Sequence, residues 1–600
     1  MSNKKEAWKE GMYGDEVREK IIEFAEKGWE SIPEEERDMW FSRFKFWGVF
    51  HQRDGQESYF MMRLTNANGQ LTGEQLRTIG EVAREYATGP VDNPEFGDAW
   101  LDFTTRQSIQ LHWIKLEDVP AIWEKLESVG VTTRSSGGDT MRNIVGCPVA
   151  GKDEAELIET QPLLERLQEE LRGDDALANM PRKFNISVTG CREGCAQDAI
   201  NGIGLEPAEK EIEASETSRG AGEAGESEVV TGFNVRVGGG TGSREPRRAR
   251  SIDTFVLPEN AYDLVRGFVE LYHEHGRRDN RQKNRSRFFV DDHGTDEVRD
   301  LLEEYVDFDL HEAGRNFRDE YTYNAGRPSE EGKVDHVGVH DQPDGRKYVG
   351  LNTPVGRMTA REAIALADVS EAYGSGEIRL TRRQNPLIMD VEADAVDELL
   401  DEPLLETHRP EPTPFERGGM ACTGTEFCGI ALTETKLRLT RTLRWLNANV
   451  DVPDDVATIK IHYSGCTADC GHAQTADIGL QGMRAQKDGE IVEALDIGVG
   501  GGLGTRPEFV EWVSQRVPAD EVPGAIKSLV EAFAAHREAG QTFREWVEDF
   551  GTESIVDLCE PAETSYEDPY MYDAKQSWYP FAEEESPAPT TVDDVPISSD

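Results

Sequence analysis

Apolar positions between residues 59 and 129 alternate between strand-like runs and helical spacing. A run over 59–64 is followed by a turn rich in Asn and Gly and then by a helix-like segment over 75–86. A second run over 101–111 leads to another helical segment over 119–129. Short apolar runs bounded by turn residues predict strands, and apolar spacing of three and four predicts helices. This β-α-β-α order is typical of half of a ferredoxin-like sandwich.

The same order of elements returns in the second half of the chain, where 378–385 is a predicted strand, and short sequence matches accompany it. The matching segments are 104–107 with 381–384, 188–195 with 463–470, 203–205 with 478–480, and 234–242 with 496–504. Because the order and the matches agree, we infer an internal duplication. The predicted fold class is α+β: duplicated ferredoxin-like half-domains form one domain, and two mixed α/β domains complete a pseudo-twofold internal repeat.

The predicted divisions of the chain follow this repeat. They are an N-terminal helical arm at 1–50, half 1 at 51–135, copy 1 of the α/β domain at 136–325, half 2 at 335–410, copy 2 at 411–560, and a disordered acidic tail at 583–600. Within copy 1, residues 206–228 are rich in Glu, Ser, Ala and Gly and have no counterpart in copy 2. This composition predicts a mobile acidic insertion.

Acidic residues are spread along the whole chain, where 116 Asp and Glu against 65 Lys and Arg give a formal net charge of −51. Screening lengths shrink to roughly 3 Å at molar ionic strength, so dispersed carboxylates of this kind indicate a halophilic protein. We expect no nucleic-acid partner, because that function requires a basic surface. We expect no membrane association, because no apolar run reaches the roughly 20 residues that a membrane helix needs.

Four of the eight cysteines form the strongest chemical signal in the chain. Cys422 and Cys428 form a C-x5-C pair, and Cys466 and Cys470 form a C-x3-C pair. Four thiolates are the usual ligand set of a cubane iron–sulfur cluster or of a structural zinc ion. The x5 spacing argues mildly against zinc, whose paired cysteines lie two to four residues apart. Closely paired cysteines also predict metal binding in a reducing cytoplasm rather than disulfides.

The cysteine pairs, the segment 476–480 (Ala-Asp-Ile-Gly-Leu) and the duplicated halves together resemble the nitrite and sulfite reductase family. The resemblance covers about residues 44–560, which is nearly the entire chain. It implies two cofactors, sirohaem and a [4Fe–4S] cluster. It also implies that the cluster is held by Cys422, Cys428, Cys466 and Cys470, and that Cys470 bridges one cluster iron to the sirohaem iron.

The resemblance further implies a cationic pocket inside this acidic protein. Sirohaem carries carboxylates and its substrate is an anion, and guanidinium groups make the strongest contacts to such groups. By their positions in matched motifs, Arg63, Arg142 and Lys183 would line the distal pocket and bind the substrate anion. Arg106 and Arg182 would contact the sirohaem carboxylates.

Asn185 carries the choice of substrate within this resemblance. Family members that reduce sulfite generally have a second Lys two positions after the first, whereas nitrite reducers typically have Asn there; here Asn185 follows Lys183. Sulfite is a dianion that benefits from another cation, and nitrite carries one charge, so an amide can replace the ammonium.

The expected function is therefore the six-electron reduction of nitrite to ammonium, with Arg63, Arg142, Lys183 and Asn185 as the catalytic set. We expect a monomer that receives its electrons from ferredoxin. A sulfite reductase with the same cofactors is the first alternative. A non-enzymatic electron carrier, or a scaffold stabilised by zinc, is the second.

Copy 1 retains part of the cysteine pattern. The sequence alignment pairs Cys147 with Cys428, Cys191 with Cys466 and Cys195 with Cys470, and it places Met141 opposite Cys422. We expect these three copy 1 thiols to be small buried residues left from the duplication. A second metal site is the alternative.

Overall fold

A computed structural model of the chain describes residues 4–9, 14–53, 56, 58–213, 227–242, 245–318, 335–504, 506–559 and 566. These residues form four sheets. Three large buried apolar clusters lie under them, one shared by the arm and the two halves and one in each copy of the α/β domain. Within the described residues, no helix is long and apolar enough to cross a membrane.

The elements follow one another in the order of the predicted repeat. The arm and half 1 contain α1 (Lys4–Ala7), α2 (Asp15–Lys27), α3 (Arg37–Phe44), β1 (Val49–His51), β2 (Tyr59–Arg63), β3 (Gln70–Thr72), α4 (Gly73–Tyr86), β4 (Thr88–Asn93), β5 (Gly97–Phe103), β6 (Ile109–Lys115) and α5 (Val119–Ser128). Copy 1 contains β7 (Val145–Gly146), α6 (Gln161–Arg166), β8 (Ile186–Val188), β9 (Ile203–Glu213), β10 (Ser227–Val237), β11 (Arg250–Val256), α7 (Ala261–His275), α8 (Ser286–His293), α9 (Thr295–Leu302) and β12 (Arg315–Asn316).

The second repeat follows in the same way. Half 2 contains β13 (Gly338–Asp341), β14 (Lys347–Gly350), β15 (Arg357–Thr359), α10 (Ala360–Tyr373), β16 (Glu377–Leu380), β17 (Pro386–Val391), α11 (Val396–Leu400) and α12 (Leu404–Thr407). Copy 2 contains α13 (Pro414–Gly418), β18 (Gly419–Ala421), α14 (Lys436–Asn449), β19 (Ile461–Ser464), β20 (Ile478–Lys487), β21 (Glu490–Val499), β22 (Glu511–Pro518), α15 (Val522–His536), α16 (Phe543–Phe550) and α17 (Thr552–Val556).

The two halves exchange a strand, which makes them one unit. Strand β3 of half 1 pairs with β16 of half 2, and β15 of half 2 pairs with β5 of half 1, both antiparallel. Each exchanged strand leads into a helix that begins with a capping box, at Thr72 for α4 and at Thr359 for α10. The two helices pack closely at Gly80, where an added Cβ would lie 2.8 Å from a side-chain carbon of Ile364.

The single strand predicted over 101–111 is wrong, because the structure places a tight turn between β5 and β6. Gln107 adopts a positive φ of 52°, and the Thr104 hydroxyl accepts the backbone N–H groups of Arg106 and Ser108. The strand predicted over 378–385 is interrupted in the same way between β16 and β17, with φ of 63° at Gln384. Arg106 and its counterpart, Arg383, therefore lie in turns and not in strands.

The two α/β domains have the same sheet. In copy 1, β7, β8 and β9 are parallel neighbours, and β9, β10 and β11 are antiparallel neighbours. In copy 2, β18, β19 and β20 are parallel, and β20, β21 and β22 are antiparallel. The identical strand order confirms the inferred duplication at the level of topology.

The predicted mobile insertion at 206–228 is partly wrong. Residues 206–213 and 227–228 lie in β9 and β10, which pair along their whole length from Glu213 opposite Ser227 to Ile203 opposite Val237. The equivalent hairpin of copy 2 closes through a two-residue turn, Asp488-Gly489. Residues 214–226 and the predicted tail at 583–600 lie outside the described residues.

Strand register corrects the alignment of the cysteines. The last residue of β7 is followed by Cys147, and the last residue of β18 is followed by Cys422. Each of these last residues pairs with the position that lies three residues before the first cysteine of the C-x3-C pair of its copy, Cys191 or Cys466. Cys147 therefore corresponds to Cys422, and its sequence-based alignment with Cys428 is wrong.

The loop after this cysteine has the same length in both copies. The backbone N–H of Leu157 in copy 1 and that of Leu432 in copy 2 donate to the carbonyl of the glycine that precedes Cys191 or Cys466, at 2.8 and 2.7 Å. Counting through these equal loops places Asp153 at the position of Cys428. Copy 1 thus keeps three of the four cysteines and has a carboxylate at the fourth position.

Candidate active site

A cavity of about 620 Å³ lies between half 1, copy 1 and copy 2. All but one of the residues predicted for the site lie on its wall, and these are Arg63, Arg106, Arg142, Lys183, Asn185, Cys422, Cys428, Cys466 and Cys470. The cysteines come from copy 2 and the cationic residues from half 1 and copy 1. The cavity therefore has a thiol wall that faces a cationic wall.

The thiol wall is built at the carboxyl ends of two parallel strands. Cys422 follows β18 and Cys466 lies just beyond β19, so their loops meet, and the Gly465 N–H donates to the Cys422 sulfur at 3.2 Å. Burial raises the pKa of Cys422 to about 12 and that of Cys466 to about 11. Such thiols lose their protons when a metal ion compensates the thiolate charge. Cys470 is the exposed member of the set, and its backbone oxygen accepts the Thr105 hydroxyl at 3.2 Å.

Arg63 and Arg142 are held side by side on the cationic wall. Both guanidinium groups donate to the Ser136 carbonyl, at 3.2 and 2.9 Å, and Arg142 also donates to the Gly138 carbonyl at 2.8 Å. The Arg63 guanidinium lies 4.5 Å from the centre of the Phe50 ring. Burial lowers the pKa of Arg63 to about 10 and that of Arg142 to about 9, so both remain charged at neutral pH.

Lys183 lies beside a cation that the sequence did not single out. The positive charge of Arg285 and, second, burial lower the pKa of Lys183 well below its ordinary value. Burial in turn lowers the pKa of Arg285 to about 10. Two neighbouring half-buried cations repel each other, and an anion between them would relieve that repulsion. The wall is therefore arranged for an anionic ligand.

Arg106 is fixed by backbone and amide oxygens of copy 1. It donates to the Asn143 carbonyl at 2.6 Å and to the Asn201 side chain at 3.0 Å. Within the described residues, the buried Nε atoms of Arg106 and Arg142 and the Nδ1 atom of His472 have no hydrogen-bond partner. Buried polar atoms are normally paired, so unpaired ones around a cavity indicate a polar ligand. A large anionic cofactor fits this set of donors.

Arg182 is the predicted site residue that is not on the cavity wall. Its guanidinium pairs with Asp139 at 2.9 Å, and Arg281 pairs with the same carboxylate at 2.7 Å. Its predicted contact with cofactor carboxylates stays a prediction.

The sequence analysis missed several polar residues of the wall. The structure adds Lys45, Arg285, Arg382, Lys436 and His472. Arg382 belongs to a segment that was already matched to 104–107, and Arg285 lies in the basic run 281–287 of a very acidic chain. Both signals were present, because cations clustered against the overall charge indicate an anion site.

Comparisons with known proteins give the family of this chain. The family model described as nitrite and sulphite reductase 4Fe-4S domain matches residues 137–310 and 414–565. The model of the nitrite/sulfite reductase ferredoxin-like half domain matches residues 51–92, 94–129 and 340–405. These matches fall on the two copies and the two halves of the fold.

Curated relatives and a solved structure agree with these matches. The chain is 70% identical, over all of both proteins, to the assimilatory ferredoxin-dependent nitrite reductase of Haloferax mediterranei. It is 35% identical to the ferredoxin–nitrite reductase of Synechococcus elongatus, with 89% of this chain and 97% of the relative covered. The structure of Mycobacterium tuberculosis NirA protein superimposes with a TM-score of 0.77 at 27% identity, covering 92% of this chain and 97% of that one. The chain belongs to the nitrite and sulphite reductase family.

Proposed function

We propose that this protein is a ferredoxin-dependent assimilatory nitrite reductase, which reduces nitrite to ammonium with six electrons supplied by ferredoxin. The names of its relatives from Haloferax mediterranei and Synechococcus elongatus support this reaction and this electron donor. The observation that carries the proposal is a cavity whose wall combines four cysteines with half-buried cations. The monomeric state and the cytoplasmic location stay predictions.

The residues on the wall suit the two cofactors expected for this family. Cys422, Cys428, Cys466 and Cys470 would hold the [4Fe–4S] cluster, and Cys470, the exposed member, would be shared with the sirohaem iron. Arg106 would bind sirohaem carboxylates through its unpaired Nε. When bound, the cofactors supply electrons one at a time and an open coordination position for the substrate.

The cationic residues would bind the substrate and supply protons. Arg63 and Arg142, fixed by their shared carbonyl, would hold the nitrite oxygens through charge-assisted hydrogen bonds. Lys183 has a pKa lowered by Arg285 and burial, which makes its ammonium a better proton donor than an ordinary lysine. These groups would stabilise the charge that develops on each departing oxygen.

Asn185 supports nitrite over sulfite as the preferred substrate. Its side chain lines the cavity near Lys183 and adds hydrogen-bonding capacity without a further charge. The sulfite alternative requires more positive charge at this place, because sulfite is a dianion.

The test compares nitrite and sulfite as substrates of the same holoenzyme, with a reduced dye as donor. We expect a larger kcat/KM for nitrite, and we expect Asn185→Lys to raise kcat/KM for sulfite relative to nitrite by about 10- to 100-fold, since one added charge contact is worth about 1.5–3 kcal/mol. Asn280→Lys, which adds the same charge at an exposed position outside the cavity, is the control. Higher turnover of sulfite than of nitrite by the unchanged enzyme would overturn the proposal.

A further inference from the structure

Three cysteines of copy 1 meet at a buried point away from the active-site cavity. Cys147, Cys191 and Cys195 are each at most 2% exposed, and their sulfur atoms all lie within 4.8 Å of one another. None of them is on the wall of the active-site cavity. By strand register and spacing they are the counterparts of three of the cluster ligands of copy 2.

The spacing of these sulfur atoms distinguishes them from a cubane site. A tetrahedral zinc ion with Zn–S bonds of about 2.3 Å holds its sulfur ligands about 3.8 Å apart. In a cubane each thiolate binds a different iron, so the sulfur atoms lie farther apart. Within the described residues, no three cysteines of copy 2 approach one another as closely as the copy 1 set does. The copy 1 geometry therefore suits one metal ion.

The surroundings of the three thiols are apolar and fixed. The side chains of the same buried cluster are Val149, Ala150, Tyr348, Leu387 and Met389. The loop after Cys147 is held by Arg379, which donates to the Ala150 carbonyl at 2.6 Å. The Glu193 N–H donates to the Cys191 sulfur at 3.4 Å. Backbone N–H groups of this kind stabilise a metal-bound thiolate, and the same contact type is made to Cys422 in copy 2.

We propose that Cys147, Cys191 and Cys195 bind a single closed-shell d10 metal ion, either Zn²⁺ or Cu⁺. Both ions favour thiolate ligands. Binding breaks three S–H bonds, forms three metal–sulfur bonds and releases three protons to solvent, with no change of oxidation state. Zinc sites of this structural type take a fourth ligand, which within the described residues is not supplied by a His, Cys, Asp or Glu side chain close to all three sulfur atoms, whereas Cu⁺ is complete with three thiolates.

The test is metal analysis of the holoenzyme, purified without metal-affinity resin. We expect one equivalent of zinc or copper per chain in addition to the about five irons of one cluster and one sirohaem. Cys191→Ser should lose that equivalent and keep the iron and the visible absorption. Cys559→Ser, which removes a buried thiol from copy 2, is the matched control and should keep both metals. The same analysis distinguishes the two ions, because zinc and copper are quantified separately.

Two results on the unchanged protein would overturn this proposal, and neither depends on whether a variant folds. The first is the lack of stoichiometric zinc or copper in the pure holoenzyme. The second is an iron content near nine per chain, because that number requires a second cubane. The function proposed above is tested by nitrite turnover, so the two proposals fail independently.

Discussion

Copy 1 and copy 2 have the same fold but present different side chains to the active-site cavity. In both copies, the second residue after the C-x3-C pair has a left-handed backbone and stands at the start of a short 3₁₀ turn. These residues are Gln197, with φ of 58°, and His472, with φ of 56°. Copy 2 carries four cysteines on the cavity wall, whereas copy 1 directs its three into an apolar cluster and presents Arg142 and Lys183 to the cavity. Duplication thus places the predicted cluster ligands in one copy and cationic residues of the same cavity in the other.

The largest expected effect comes from removing one cluster ligand of copy 2. Cys466→Ala leaves three thiolates for the cubane, and we expect the cluster iron and nitrite reduction to be lost together, down to the background rate. The measurement is iron content and dye-driven nitrite turnover of the purified variant. Replacing the counterpart Cys191 should remove none of the cluster iron. Retention of the full iron content by Cys466→Ala would break the proposed division between the copies.

The next effect tests the cationic wall that copy 1 contributes. Lys183→Gln removes a positive charge beside the substrate, and we expect kcat/KM for nitrite to fall about 100-fold, as for the loss of one charge-stabilising donor. Lys283→Gln makes the same change at an exposed lysine outside the cavity and should have little effect. Equal losses in both variants would mean that net charge, and not the position of Lys183, matters.

The pH dependence of the same residue sharpens this test. Because Arg285 and burial lower the pKa of Lys183, its ammonium loses a proton at a lower pH than an ordinary lysine does. The wild-type kcat/KM should therefore decline as pH rises through this lowered pKa. Lys183→Arg keeps its charge, so its alkaline decline should move to higher pH. An unchanged alkaline limb would show that another group titrates there.

The chemistry of the site could be predicted from the sequence more readily than its geometry. The cysteine spacing and the matched motifs, which include Asn185, identified nine residues that line one cavity. The turn at 104–108 was missed although all five of its residues, Thr-Thr-Arg-Gln-Ser, are polar, because the segment lacks the Gly, Pro, Asn or Asp that most often indicates a turn. The counterpart of Cys147 was also missed, because strand pairing, and not sequence spacing, determines which residues correspond.

Arg285 illustrates a different limit of sequence reasoning. It precedes α8, about 100 residues along the chain from Lys183, yet the two charges interact in the cavity. No local periodicity relates positions so far apart. Only the packing of the α8 segment against the loop before β8 brings them together.

The smallest expected effect concerns the two glutamines that join the halves. Gln107 donates to the Leu380 carbonyl of half 2 at 3.0 Å, and Gln384 donates to the Phe103 carbonyl of half 1 at 3.0 Å. Each replacement by Ala removes these bonds and leaves buried acceptors unpaired, so we expect each to lower the free energy of unfolding by about 1–3 kcal/mol.

Backbone conformation provides the control for this last comparison. Both glutamines have positive φ, which costs a residue with a side chain about 1–2 kcal/mol relative to Gly. Gln107→Gly and Gln384→Gly should therefore be less destabilising than the Ala variants, although they remove the same hydrogen bonds. The measurement is the denaturant midpoint of the four holoenzyme variants. The Ala and Gly variants of one half could have the same denaturant midpoint while those of the other half differ. That result would show that the two turns are not energetically equivalent, and the pseudo-twofold symmetry would then be limited to the backbone.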